Sequence, residues 1–464
     1  MLAIIGATII DGNGGAPIAD GVILTQGPRI TAVGPSSTVI PPQANRITAT
    51  GKFVIPGLLD ANVHLLADIR LENLVRHEGR YEDLIAEAAQ VALKAGLTTV
   101  FDTWGPRRAL LAVRDRIDAG QLPGSRIFCA GNIVGFDGPF SPDFMARVPE
   151  IASPALVRRI NAMWVENVGR HLMWLSPAQV AVEVRAYIAK GVNFVKYGSN
   201  DHYPGSFLAL SPRVQAAIVA EAHSAGLTAQ AHTMSVEGLH IAIEAGCDLI
   251  QHTNITGPVP IPEATLELLA QRRTGAVVFP FTQRRFEWFM QKADETARCV
   301  YSAMDTNTRN LIRSGAPLLM AWDANLQAPE AATDAASAWY YEAPDSPQRL
   351  GQGHLAWMMA MEEKGCPPMK MLMAATKNVA VAYGKERDLG TLEAGKIADL
   401  LILDRNPLAA AANYGTVSMV MKDGAVIDTE ALPLNPILTR PLEPPCAEER
   451  DYVPFLTCPA CARR

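Results

Sequence analysis

The residues best suited to catalysis stand at the ends of short apolar runs in widely separated parts of the chain. They are three histidines, a lysine and an aspartate: His64, Lys196, His232, His252 and Asp323. One histidine at a strand end is most often structural, but five run ends that each supply a candidate ligand indicate a shared site. Imidazole and carboxylate groups with an open coordination position are typical of a catalytic Zn²⁺ or Co²⁺ ion. The sequence therefore predicts a catalytic centre with one or two divalent metal ions.

Asn62 stands two positions before His64 in the stretch "VIPGLLDANVHLL", Val54 to Leu66. Because side chains alternate along a strand, both residues can face the same site. A neutral amide oxygen suits hard cations, whereas imidazole suits Zn²⁺ and Co²⁺ better. If Asn62 binds metal, it does so weakly, and the site holds either one ion or two ions of which one is labile. Alternatively, Asn62 binds no metal and only hydrogen-bonds a neighbour. We hypothesise that Asn62→His raises the affinity for a second metal.

Short β-rich runs alternate with helical stretches through the middle of the chain. The eight runs span residues 53–60, 97–103, 126–131, 193–198, 228–233, 248–253, 276–282 and 316–323. Several of the helical stretches end in Ala-Gly or Ser-Gly, as helices with a glycine cap do. Eight strand–helix repeats predict an α/β fold, a (β/α)₈ TIM-like barrel, whose active groups lie at the C-terminal ends of the strands.

The two ends of the chain have a different texture, with short strands broken by glycine and proline. We predict a small, discontinuous β-sandwich built from residues 1–55 and 386–432. The metal-dependent barrel, residues 56–385, is then inserted between its two parts. The long gap between the third and fourth runs predicts an insertion over the barrel mouth at residues 132–187.

Composition narrows the classes of function. The chain has 464 residues, 49% of them hydrophobic, and a net charge of −6, which is typical of a globular protein with a large core. It has no basic run that would bind nucleic acid and no apolar stretch long enough for a transmembrane helix. We therefore expect binding neither to nucleic acid nor to a membrane. The cysteines number seven and are scattered, which favours reduced thiols and a cytoplasmic location.

The C-terminal residues 433–464 are rich in proline and charge and are predicted to form an extended tail. Cys458 and Cys461 form a CxxC there, but two cysteines cannot complete a tetrahedral zinc site. The tail and the β module offer apolar surface for contact with a neighbouring subunit. We therefore expect a homo-oligomer, a dimer or a tetramer.

The segment "PGLLDANVH" resembles the motif PGLIDxHxH of the amidohydrolase superfamily, with Asn62 in place of the first histidine. The later segment "GTLEAGKIADLLILDRNP" and the split β module are similar too, so the resemblance covers nearly all of residues 1–430. The superfamily's metal ligands are the two histidines of HxH, a lysine often carboxylated by CO₂, two further histidines and an aspartate. The matching residues here are His64, Lys196, His232, His252 and Asp323. The Asn-x-His variant resembles a small branch that cleaves urea and thiocarbamate herbicides, the phenylurea hydrolases and molinate hydrolase.

This resemblance implies metal-dependent hydrolysis of an amide-like C–N bond, with a hydrophobic urea or thiocarbamate favoured. Water activated by the metal would attack the carbonyl carbon, and Asp323 would act as general acid and base. Lys196 is expected to be carboxylated, although it could instead pair with Asp323 or Asp201. The loop after the fourth run supplies candidate donors to the carbonyl oxygen, namely His202, Tyr203 and Tyr197. The plainer alternative for His202 is a solvent-facing loop residue.

Aromatic side chains near the run ends predict an apolar collar for a small, uncharged, hydrophobic substrate. The residues expected to contact substrate are Trp104, Phe136, Tyr197, Phe281 and Trp288. The alternative is that these rings pack the core of the insertion or a subunit interface. Arg284 and Arg285 would instead suit a dipeptidase or a hydrolase of N-acyl amino acids or cyclic imides. A non-catalytic homologue is a third hypothesis, favoured only by the missing histidine.

Overall fold

The computed structural model describes residues 1–66, 72–145, 148–202, 207–327, 345 and 348–440. Its strands, in chain order, are β1 Leu2–Ile9, β2 Ile18–Gln26, β3 Arg29–Gly34, β4 Asn45–Thr48, β5 Phe53–Pro56, β6 Leu58–His64, β7 Leu97–Asp102, β8 Arg126–Cys129, β9 Val195–Gly198, β10 Ala229–His232, β11 Leu249–Gln251, β12 Gly275–Val278, β13 Leu318–Met320, β14 Ala324–Asn325, β15 Leu400–Leu403, β16 Val417–Lys422 and β17 Ala425–Val426.

The strands from the two ends of the chain form one eight-stranded sheet. Its order is β17-β16-β15-β5-β1-β2-β3, with β4 also paired to β1. The junction between the two chain ends is the antiparallel pairing of β5 with β15, in which Ile55 lies opposite Leu401. Neighbouring residues of β2 belong to different apolar clusters, Ile23 to one and Val22 to another, so the sheet buries side chains on both faces. The two ends of the chain thus share a sheet, while a two-layer sandwich stays a prediction.

The middle of the chain forms parallel strands, as the sequence predicted. One sheet has the order β14-β6-β7-β8 and the other β13-β12-β11-β10-β9. A parallel bridge between Val134 and Tyr197 links the residues after β8 to β9. This arrangement is consistent with a (β/α)₈ barrel. Within the described residues the pairings divide into two sheets, so closure into one ring stays a prediction.

The first predicted run, residues 53–60, contains two strands and a break. Phe53–Pro56 pairs with the terminal sheet, whereas Leu58–His64 begins the parallel strands. Gly57 separates them, and a Cβ atom at this position would lie 2.2 Å from the hydroxyl oxygen of Thr98. Glycine therefore allows the chain to pass close to β7 as it moves from one sheet to the other.

Helices follow the parallel strands and cover them. Their bounds are Glu72–Arg76, Tyr81–Lys94, Arg107–Asp118, Val148–Ile151, Pro154–Val165, Pro177–Ile188, Pro212–Ser224, Val236–Glu244, Glu263–Arg272, Gln283–Lys292, Glu295–Arg313, Gly353–Glu363, Pro368–Ala374 and Lys377–Ala382, with 3₁₀ turns at Arg170–Trp174 and Ala411–Gly415. Gly96, Gly226 and Gly246 follow three of these helices with φ of 90°, 71° and 85°. These left-handed residues are the glycine caps that the sequence predicted.

The described part of the tail, up to residue 440, lies against the helix Tyr81–Lys94. The backbone amide of Leu438 donates to the carboxylate of Glu87 at 2.9 Å, and that of Leu434 donates to Gln90 at 2.7 Å. The CxxC of Cys458 and Cys461 lies outside the described residues. Oligomeric state and cellular location stay predictions.

None of the helices in the described ranges is long and apolar enough to cross a membrane.

Candidate active site

Four of the predicted ligands converge from separate strands. His64 ends β6, His232 ends β10, His252 directly follows β11, and Asp323 lies between β13 and β14. The carboxylate of Asp323 is 3.5 Å from Nε2 of His64 and 3.3 Å from Nε2 of His252. The ring centroids of His232 and His252 are 4.7 Å apart. The parallel strands therefore bring three imidazoles and one carboxylate into a single cluster, which we call the His–Asp cluster.

Two members of this cluster have unusual backbone geometry. His252 and Asp323 both have φ of 50°, in the left-handed region that non-glycine residues rarely adopt. His252 directly follows β11, and Asp323 lies in the short connection between β13 and β14. Strained backbone of this kind is concentrated at functional sites, where surrounding structure holds the residue in place.

Burial sets the charges of the cluster. Burial alone would raise the pKa of Asp323, but His252 and His64 face its carboxylate and hold that pKa well below its usual range. Burial lowers the pKa of His64 and takes that of His232 well below its ordinary value. The site therefore presents an ionised carboxylate beside His64 and His232, for which burial favours the neutral imidazole, the form that binds metal.

Lys196 lies in β9, and its side chain is buried. Its Nζ donates a hydrogen bond to the hydroxyl of Thr103 at 3.0 Å. Burial lowers the pKa of Lys196 to about 8, although the carboxylates of Asp323 and Asp102 oppose this effect. Reaction of a lysine with CO₂ needs the uncharged amine, so the shift is in the direction that carboxylation requires.

Asn62 is fully buried and hydrogen-bonded at both ends of its amide. Its Nδ2 donates to the side-chain oxygen of Gln251 at 2.8 Å, and its Oδ1 accepts a hydrogen bond from the hydroxyl of Thr103. Its backbone amide also donates to the carboxylate of Asp60 at 3.0 Å. The neighbour contacts expected if Asn62 only hydrogen-bonds are therefore present. A second lone pair of Oδ1 is still available, so metal ligation by Asn62 stays a hypothesis.

The ring of His202 is stacked on that of His232, with ring centroids 5.2 Å apart. Burial lowers the pKa of His202 to about 4, which makes it a neutral donor or acceptor at neutral pH. Its Nδ1 is buried and has no hydrogen-bond partner among the described residues. His202 is therefore next to the cluster rather than on a solvent-facing loop.

Aromatic rings line one side of the His–Asp cluster. Trp104 meets His64 edge to face with centroids 5.9 Å apart and stacks on Phe144 at 4.0 Å. The ring centroid of Phe144 lies 4.7 Å from that of His202, and the ring centroid of Phe136 lies 5.6 Å from that of His232. We call Trp104, Phe136 and Phe144 the aromatic wall. Trp104 and Phe136 were predicted to contact substrate, and the structure places both beside the cluster.

The other predicted substrate contacts are farther away. Phe281 packs on Trp322, which stacks on Phe279. Of these three rings, Phe279 is the one that contacts the ring of His252. Trp288 packs edge to face on Phe289, whose ring lies next to that of Phe281.

Tyr197 points away from the site. Side chains alternate along β9, and Lys196 takes the inward position, so the fully buried ring of Tyr197 lies on the opposite side of this strand. The expectation that Tyr197 contacts substrate therefore does not fit this geometry. Tyr203, the remaining predicted donor, lies outside the described residues.

Sequence reasoning missed two residues of the site, Thr103 and Gln251, and counted Phe144 in the apolar collar without singling it out as a substrate contact. Thr103 ends the second predicted run, so the search for polar residues at run ends could have found it. Gln251 directly precedes His252, but its partner Asn62 is 189 positions away in sequence. Phe144 stood among many aromatics of the insertion, and no local pattern separated it from the others.

The side chains fit a divalent cation by donor type. Nε2 of His232 is buried without a hydrogen-bond partner among the described residues, and Nε2 atoms of His64 and His252 face the carboxylate of Asp323. Two or three imidazoles with a carboxylate are a common ligand set for Zn²⁺. In the described part of the chain, no group of three or more His, Cys, Asp or Glu side chains is already arranged as a metal cage. The identity and number of ions therefore stay proposals.

Comparison with known proteins identifies the class of enzyme. The model of the amidohydrolase family matches residues 53–427, so the chain belongs to this family. This confirms the resemblance seen in the sequence and makes the protein an amidohydrolase-type hydrolase.

Two solved structures are similar over almost the whole chain. A structure of molinate hydrolase shares 38% identity, covers 96% of this chain and 98% of its own, and has a TM-score of 0.89. A structure of phenylurea hydrolase B shares 35% identity, covers 95% of this chain and 100% of its own, and also has a TM-score of 0.89. The similarity to both proteins confirms the predicted branch. Among curated proteins, ochratoxinase of Aspergillus niger is 24% identical over 88% of this chain and 82% of its own length.

Proposed function

We propose that the protein hydrolyses an amide-like C–N bond in a small hydrophobic urea or thiocarbamate and releases an amine. The observation that carries this proposal is the contact between the His–Asp cluster and the aromatic wall, which meet where His64 and Trp104 lie 5.9 Å apart. A carbonyl group placed at the cluster would have its apolar substituent against these rings. Similarity to molinate hydrolase and phenylurea hydrolase B supports this substrate class.

One or two divalent ions, Zn²⁺ or Co²⁺, would be held by His64, His232, His252 and Asp323, with carboxylated Lys196 as a further ligand. When bound, such an ion polarises a carbonyl group and lowers the pKa of water to about 7. Urea and carbamate carbonyls are poorly electrophilic because of resonance, so this activation is what the substrate most needs.

Asp323 would move the proton of the reaction. As the oxygen of water bonds to the carbonyl carbon, the ionised carboxylate would accept the proton that this water loses. Asp323 would then give the proton to the leaving nitrogen as the C–N bond breaks. With a urea the second product is a carbamic acid, which loses CO₂. Neutral His202 would donate its N–H to the carbonyl oxygen, where negative charge develops.

The contacts of Arg285 argue against a substrate carboxylate at this position. Its side chain is almost fully buried, with the guanidinium 5.0 Å from the ring centroid of Phe289 and 5.8 Å from that of Phe281. One of its nitrogens donates to the backbone oxygen of Asp345 at 3.3 Å. Arg284, the other arginine predicted to suit a substrate carboxylate, is exposed, so a dipeptidase or an N-acyl amino acid hydrolase stays an alternative that the experiment must exclude.

The test is a substrate panel. Purified enzyme loaded with Zn²⁺ or Co²⁺ is given a phenylurea, a thiocarbamate, an N-acyl amino acid and a cyclic imide, and amine release is measured by mass spectrometry. We expect turnover of the urea or thiocarbamate, loss of turnover after chelation, and recovery when the metal is returned. Hydrolysis confined to N-acyl amino acids or cyclic imides would contradict the proposed substrate class, and chelator-resistant turnover would contradict the role of metal.

A further inference from the structure

A chain of buried side-chain hydrogen bonds starts at Lys196 and passes through the amide of Asn62. Thr103 accepts from the amine of Lys196 at 3.0 Å and donates to Asn62, which donates to Gln251 at 2.8 Å. The amide of Gln251 continues the chain by donating to Gln230. We call this chain the amide relay, and its members are Lys196, Thr103, Asn62, Gln251, Gln230 and Tyr383.

The far end of the relay fixes the direction of every bond in it. Gln230 donates to the hydroxyl of Tyr383 at 3.2 Å, and this hydroxyl donates to the backbone oxygen of Ala61 at 2.6 Å. A backbone oxygen can only accept, so the tyrosine hydroxyl must donate there and is left to accept from Gln230. Because the nitrogen of Gln230 donates to Tyr383, its side-chain oxygen accepts from Gln251, and the oxygen of Gln251 in turn accepts from Asn62. This order of bonds orients the nitrogen of Asn62 towards Gln251 and its oxygen towards Thr103.

The relay also connects the two parallel sheets through their interior. Asn62 lies in β6, and Thr103 directly follows β7, both in one sheet. Gln251 and Lys196 lie in β11 and β9 of the other sheet. The bonds from Lys196 to Thr103 and from Asn62 to Gln251 therefore tie the sheets together at two points.

Two of the relay residues adjoin metal-ligand candidates, Gln251 through the backbone and Thr103 through its side chain. Gln251 directly precedes His252 and pairs with His232 across β10 and β11. Thr103 contacts the amine of Lys196. A rotation of the Gln251 or Thr103 side chain would therefore shift candidate metal ligands that face the site.

We propose that Thr103 and Gln251 are positioning residues, which hold Lys196, Asn62 and the neighbouring histidines in the geometry that binds metal. This inference rests on the proposed metal-dependent function. Hydrogen bonds within a buried network stabilise one arrangement of its members, whereas a broken network leaves buried polar groups without partners. Substitution of a residue that hydrogen-bonds a metal ligand typically lowers metal affinity by about 10-fold to 100-fold.

The experiment measures Zn²⁺ affinity of the whole protein by competition with a fluorescent chelator, with metal content per subunit and thermal unfolding in parallel. Thr103→Val and Gln251→Met break the relay, and Thr103→Ser keeps the hydroxyl. Two variants serve as matched controls. Thr98→Val removes a buried hydroxyl from β7, the strand that Thr103 follows. Gln215→Met removes a buried amide that donates to the backbone oxygen of Leu210.

We expect Thr103→Val and Gln251→Met each to weaken Zn²⁺ binding by about 10-fold or more, while Thr103→Ser and the two controls stay near wild type. Both substitutions interrupt the same amide relay. The double variant should therefore lose less Zn²⁺ affinity than the product of the two single losses. Wild-type Zn²⁺ affinity in both relay variants, even with a lower unfolding temperature, would overturn the inference and leave only a structural role. Failure of the wild type itself to bind Zn²⁺ would contradict the proposed function instead.

Discussion

Nε2 of His252 lies 3.3 Å from the carboxylate of Asp323, and both residues have a left-handed backbone with φ of 50°. The two residues follow different strands of one parallel sheet, β11 and β13, separated by β12. Their turns bring the imidazole and the carboxylate together across this intervening strand. This pair, with His64 on the other side of the carboxylate, is the part of the site on which the proposed proton transfer depends.

Asp323→Asn should remove the proton acceptor while keeping size and backbone preference. We expect kcat to fall by about 100-fold to 10,000-fold, the usual contribution of a general acid or base. The measurement is steady-state hydrolysis of the best substrate from the panel, with thermal unfolding as a check on folding. Asp20→Asn is the matched control, because Asp20 also has φ of 50° but is exposed in β2. Equal activity of the two variants would contradict the role of Asp323.

Lys196→Met should stabilise the metal-free protein in a pH-dependent way. Burial lowers the pKa of Lys196 from 10.5 to about 8, so the unfolded chain holds this proton more tightly than the folded one. The protonated amine therefore costs the folded state about 3 kcal/mol below pH 8, and this cost disappears as the pH rises towards 10.5. We expect the variant to gain free energy of unfolding below pH 8 and to lose most of the gain by pH 10.5.

Urea unfolding across this pH range, in CO₂-free buffer with chelator, measures the effect. Lys52→Met, which removes a partly exposed amine paired with Asp404, is the control. A difference between Lys196→Met and wild type that stays constant with pH would show that the buried amine is not the source of the change.

Asn62→His tests the unusual residue of the motif. An added imidazole should raise the affinity for a second metal, since nitrogen suits Zn²⁺ and Co²⁺ better than an amide oxygen does. Elemental analysis of purified wild type and variant, each dialysed against the same free Zn²⁺, gives the stoichiometry. Unchanged metal content would remove the hypothesis, and it would agree with Asn62 serving only as a link between Thr103 and Gln251.

Trp104→Leu tests the aromatic wall as a substrate contact. Loss of the ring should reduce kcat/KM for an aryl urea by about 10-fold or more, because an apolar pocket contact is worth about 1–3 kcal/mol. Trp288→Leu is the control, since Trp288 packs on Phe289 rather than on a residue of the His–Asp cluster. A larger effect of Trp288→Leu than of Trp104→Leu would place the substrate on the Phe281 side of the site.

The sequence by itself determined the residue types of the site and the strands that carry them. Each of the eight predicted runs overlaps one of the parallel strands β6 to β13, and His64, His232, His252 and Asp323 stand at or beside strand ends as predicted. This was possible because a strand and its cap are local: apolar runs, alternation and a following polar residue are all visible within a few positions.

The tertiary structure alone decided which side chains meet. Asn62 and Gln251 form a hydrogen bond although 189 positions separate them, and Phe144 rather than Trp288 joins the aromatic wall. Such outcomes depend on the register of strands and the path of loops, which are set by packing between distant segments and not by any pattern within one of them.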